Sequence, residues 1–125
     1  MYAQQLQAYR NVEKSTLSGG REVEALALTK AAYLLTYCVN NWHNPERHAK
    51  LDEALRFNQT IWSIFQSELV KTDNPLPQKI REDLLSLSLF IDKRIMDIMI
   101  APSPEKLNII ININLNIAAG LRSNS

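Results

Sequence analysis

One cysteine, two histidines, three glycines and five prolines stand among 125 residues. Each scarcity narrows what the chain can be. The lone Cys38 excludes an internal disulfide and fits a reducing compartment. So few glycines and prolines do not suit an all-β protein, whose many turns need them. Formal net charge is only +1, so no global field draws in nucleic acid or an anionic membrane. No apolar run approaches the roughly 18 residues of a membrane span. The opening "MYAQQLQAYR" has no apolar segment of the secretory type. A cytoplasmic protein that neither spans nor anchors in a membrane is expected. Cys38, His43 and His48 lie close together, but no fourth cysteine or histidine exists to complete a structural zinc set. A nucleophilic pairing of Cys38 with His43 lacks the glycine-rich oxyanion loop such a pair requires. Lys71, Lys79, Arg81, Lys93, Arg94 and Arg122 are interleaved with Asp and Glu rather than gathered into a stripe, so direct nucleic-acid binding is not expected. The residues point to no enzyme, no metal and no cofactor.

What is present is helical periodicity. In "MYAQQLQAYRNVEK", Tyr2, Leu6, Tyr9 and Val12 fall on one face, and "STLSGG" reads as a break after it. The segment "REVEALALTKAAYLLTYCVN" places Val23, Leu26, Lys30, Leu34 and Cys38 in one row, flanked by Ala27, Ala31 and Leu35; the alanines allow close approach of a second helix. In "NPERHAK", Asn44 is a good N-cap and Pro45 a good first helical residue. Leu51, Leu55, Asn58, Trp62, Phe65 and Leu69 then step 4-3-4-3-4, a helical seam with one polar member. "KTDNPLPQK" interrupts the pattern, because Pro75 and Pro77 cannot sit inside a helix. Pro77 can open the next helix, which runs to about Ile100 with Ile80, Leu84, Leu87, Ile91, Ile95 and Ile98 in one row and further apolar residues outside it.

The last segment is ambiguous. "NIIININLNIAAG" alternates apolar and polar residues from Ile111 to Ile117, the period of a half-buried strand. Read at the helical period, Leu107, Ile110, Ile111, Asn114, Ile117, Ala118 and Leu121 form one stripe instead. Ser103 and Pro104 supply a start, and Gly120 sits where a C′ glycine belongs. A lone strand would leave its backbone unpaired, so the helix is the reading to prefer. Because Ile is β-branched and Asn a weak helix former, this helix needs tertiary packing to form. The fold expected is all-α: a compact bundle of four to five helices in a single domain over residues 1–125.

Apolar surface at helical spacing is the remaining functional signal. It is either plain core or a groove for a partner's amphipathic helix. For such contact the candidates are Ile95, Met96, Met99, Ile110 and Ile113, with the methionines lending adaptability.

An ordered series of stretches then gives a resemblance. "QAYR" stands near the start, and "REVEALALTKAA" opens the second segment. "LDEALRFNQTIWSIF" carries Asn58, Trp62 and Phe65; "NPLPQKIREDLLSLSLF" and "PSPEKLNIIININLNIAAGL" follow. Together they cover almost the whole chain, and the chain is similar to the FlaF family of flagellar biosynthesis regulators. The resemblance implies a cytoplasmic, non-enzymatic helper of flagellin production. It implies binding to flagellin before export, alongside a partner regulator, FlbT. The alternative it leaves is a post-transcriptional regulator acting on flagellin mRNA directly or through FlbT. Within the family pattern, Asn58 and Asn114 are expected to make structural hydrogen bonds, and Trp62 and Phe65 to lie mainly in the core. Asn74, Pro75, Leu76 and Pro77 are expected to form a rigid connector, and Gly120 to end the last helix. Two departures stand out: Gly20 replaces a proline expected before the second segment, and Leu115 replaces a basic residue. The first segment, tethered by Gly19 and Gly20, is a candidate strap over the groove.

Overall fold

The computed structural model describes residues 17–123. Four helices follow one another: α1 (Leu17–Asn40), α2 (Arg47–Leu69), α3 (Gln78–Ile100) and α4 (Pro104–Ser123). There is no strand among the described residues. The connections are short, so neighbours run antiparallel, and the helices close a ring in which α1 touches α2 and α4, and α3 touches α2 and α4. The all-α bundle expected from periodicity is what the chain forms. The helix expected over "MYAQQLQAYRNVEK" lies outside the described residues.

The starts and stops follow local chemistry with some shifts. α1 begins at Leu17 and runs through Gly19 and Gly20, so the break expected across "STLSGG" does not reach those glycines. Asn44 accepts the Glu46 N–H at 2.8 Å within the turn rather than capping the helix: α2 starts at Arg47, with Glu46 at the N-cap position and no side-chain cap bond. In the α2–α3 connector, the Asn74 side chain accepts from the Leu76 N–H at 2.9 Å and donates to the Glu68 carbonyl at 3.0 Å. That pins the loop to the end of α2. Pro77, extended at φ −55° and ψ 146°, then delivers the chain to α3. The "NIIININLNIAAG" stretch is helical throughout. Gly120 does not end the helix: α4 continues through it to Ser123, with no positive φ, because the Ser123 hydroxyl and the Arg122–Thr29 contact still hold the last turn.

The core is built from α1, α2 and α4, with α3 added along one side. On α1 the buried residues are Ala25, Leu28, Ala31, Ala32, Leu35 and Cys38. Leu26 and Lys30, expected in the core row, are exposed instead. α1 packs most extensively against α4, and the small Ala25, Ala31 and Ala32 let those backbones approach with Leu28 and Leu35 on the buried side, while of the other row only Leu34 and Cys38 reach the core cluster. The α2 seam holds as expected, with Leu51, Leu55, Trp62 and Leu69 buried and Phe65 half-buried edge-on to Trp62, 5.6 Å between ring centres. On α4, Leu107, Ile110, Ile111, Asn114 and Ala118 are buried, which settles the periodicity question for the helix.

Three polar side chains close a network inside this core. Asn114 donates to Asn58 Oδ1 at 2.7 Å and accepts from Trp62 Nε1 at 2.9 Å. Asn58 donates in turn to the Ala54 carbonyl at 2.9 Å and the Ala31 carbonyl at 3.2 Å. Both asparagines are fully buried. The amide plane satisfies several groups at once, tying α1, α2 and α4 into one register. A one-turn slip of any of these helices would strand buried polar groups, each costing about 1–3 kcal/mol.

Candidate functional site

α3 differs from its neighbours in how little of it is buried. Only Ser88, Ile91, Ile95 and Ile98 are, from the middle of the helix onward. Several of its large apolar residues are left open: Leu89 and Met96 are each 60% exposed, Ile100 is 82% exposed, and Met99 is also exposed. Leu89, Met96 and Ile100 are spaced seven and four residues apart and so share one face. Lys93 interrupts the face between Leu89 and Met96, yet soluble monomers seldom gather exposed apolar side chains along one helix without using them.

That face borders a shallow open groove between α2 and α3, lined by Gln59, Thr60, Ser63, Ile64, Asp92 and Met96. Gln66 donates to Asp92 at 3.0 Å and braces the two helices. Both walls are mixed: hydroxyl and amide groups stand beside Ile64 on α2, and the Met96 thioether stands beside the Asp92 carboxylate on α3. An amphipathic helix matches it, laying apolar residues against Ile64 and Met96 and polar ones against the hydroxyl, amide and carboxylate groups. The unbranched Met96 and Met99 can repack around differently shaped side chains.

The expected contact residues divide. Met96 and Met99 are exposed on α3, as a docking residue must be. Ile95 and Ile110 are not available: both are completely buried in the central cluster, Ile95 beside Ile91 and Ile98. Ile113 is half-buried and packs against that cluster. The correction is one of helical phase. On α3 the row Ile91, Ile95 and Ile98 turns inward, and Leu89, Met96, Met99 and Ile100 lie outside it. Leu89 and Ile100 were not among the expected contacts; their signal was the excess of apolar residues on α3 over what one buried face can hold.

Among the described residues, no three of His, Cys, Asp or Glu come together as a metal site, and no helix is long and apolar enough to cross a membrane. Cys38 is 2% exposed. Burial pushes its thiol pKa up, Glu53 adds to the rise, and Lys50 opposes it. Since the thiolate is the nucleophile, alkylation of Cys38 by iodoacetamide at pH 8 should be negligible in the folded protein and should appear in step with unfolding. Rapid alkylation under native conditions would contradict this burial.

A family model described as "Flagellar protein FlaF" matches residues 5–121. No curated protein and no solved structure matches the chain.

Proposed function

The chain belongs to the FlaF family of flagellar proteins, and from that premise we propose that it promotes flagellin synthesis and export by binding flagellin in the cytoplasm as a non-enzymatic chaperone. The observation that carries this reading is the set of exposed apolar side chains Leu89, Met96 and Ile100 on α3 beside a groove of mixed polar and apolar lining. Flagellin subunits associate through amphipathic helices, and an unassembled subunit must not do so before export. A chaperone that covers one such helix prevents that with no chemistry beyond burial of apolar surface, the dominant favourable term in association. Regulation follows by linkage: if flagellin and a regulatory partner such as FlbT bind with coupled free energies, occupancy of the groove reports flagellin supply. The charge pattern lends no support to direct action on RNA, because the described ion pairs mix both signs along the helices: Arg56–Asp52, Lys79–Asp83 and Lys106–Asp97.

Mixing the purified protein with monomeric flagellin should give a stoichiometric complex that elutes ahead of both on a sizing column. Separate elution, together with retention of flagellin message or FlbT, would move the function to that partner.

A further inference from the structure

A second surface lies on α4, away from the α3 stripe. From Leu107 to Leu121 the helix carries no charged residue, although half of its circumference is solvent-facing. Its exposed face is Asn108, Asn112 and Asn116, spaced four residues apart, with Leu115 and Ala119 alongside. Solvent alone does not account for this composition. Asparagine is among the weaker helix formers, and Lys, Glu or Arg would serve both the helix and solubility better. Depletion of charge marks the centre of protein–protein interfaces.

We propose that this face seats a second copy of the chain, α4 against α4 in antiparallel fashion about a two-fold axis near residues 112–115. Three features select a copy of itself over a different protein. Each asparagine amide both donates and accepts, so a row of them is complementary to the same row reversed, whereas a row of one charge repels itself. Opposite charges stand at the two ends of the face, Glu105 in the first turn and Arg122 in the last, while Lys106 beside Glu105 is turned to Asp97 at 3.4 Å. An antiparallel copy brings Glu105 of one chain to the same end as Arg122 of the other, while Arg122 still reaches Thr29 of its own chain. Ala119 is small enough to let the paired helices approach closely, and Leu115 supplies apolar contact beside the axis. None of the residues that line the flagellin groove belongs to this face.

The test is sedimentation velocity on the full chain at micromolar concentration, with Asn112→Asp and Asn112→Lys variants. Because Asn112 is exposed, both variants should keep wild-type helicity by circular dichroism. The wild type should sediment as a dimer. Each variant should raise the dimer dissociation constant at least about tenfold, since like charges meet across the axis. An equimolar mixture of the two should restore the dimer, now with opposite charges facing. A monomeric wild type, a dimer that persists in both single variants, or a mixture that stays monomeric would each overturn the proposal. None of these results depends on flagellin binding, so this interface and the flagellin groove stand or fall separately.

Discussion

Replacing Asn114 with alanine is expected to destabilise the protein by about 3–4 kcal/mol, read as a lowered urea midpoint with little change in slope. The substitution removes one acceptor and one donor from a fully buried site. The Trp62 indole N–H loses its partner at 2.9 Å, and Asn58 Oδ1 loses its donor at 2.7 Å. Each buried group left unsatisfied costs about 1–3 kcal/mol. Asn58→Ala should cost less. The Ala54 and Ala31 carbonyls it releases lie within helices, where carbonyls already accept backbone bonds, so it leaves mainly the Asn114 amide unpaired. The two substitutions combined should fall short of their sum by about 1–2 kcal/mol, because either one already breaks the Asn58–Asn114 bond. Full additivity would mean that the two amides act independently and that the network does not fix the register of α1, α2 and α4.

Substituting aspartate for Met96 or Leu89 should weaken flagellin binding by about thirtyfold, the equivalent of roughly 2 kcal/mol for a central apolar contact. Both side chains are 60% exposed, so the bundle should retain its helicity and urea midpoint. Ile95→Asp makes the contrast. It would bury a carboxylate among Ile91, Ile98 and their neighbours and should unfold the protein rather than impair binding selectively. If Met96→Asp binds as tightly as the wild type, α3 is not the docking wall. If instead it loses helicity, Met96 is supporting the fold.

How far these sites could be read from sequence depends on the element. The α2 seam was legible because large apolar residues recur at a strict 4-3 spacing and nothing competes with them. The α4 stripe was legible despite the alternating "ININLNI", since only the helical phase gathers Leu107, Ile110, Asn114 and Ala118 on one side. α1 misled because Ala25, Ala31 and Ala32 take core positions beside Leu28 and Leu35, and alanine carries little hydrophobic signal. On α3 the periodicity identified Ile91, Ile95 and Ile98 as one row but could not say which of the apolar residues outside it stay open; that depends on the neighbours. The roles of Asn58 and Asn114 as hydrogen-bonding residues were foreseeable from burial alone. Their pairing across 56 positions of sequence, and with Trp62, was not. Gly120 shows the limit of local signals: a glycine well placed to end a helix is overridden by contacts of the turn around it.

The central claim, that the groove beside α3 captures an amphipathic helix of flagellin, is tested most directly by titration calorimetry of the protein against monomeric flagellin at two salt concentrations and several temperatures. Apolar capture predicts tight binding, a negative heat-capacity change and an affinity that hardly moves with salt. Absence of binding, or an affinity that falls steeply as salt rises, would contradict it.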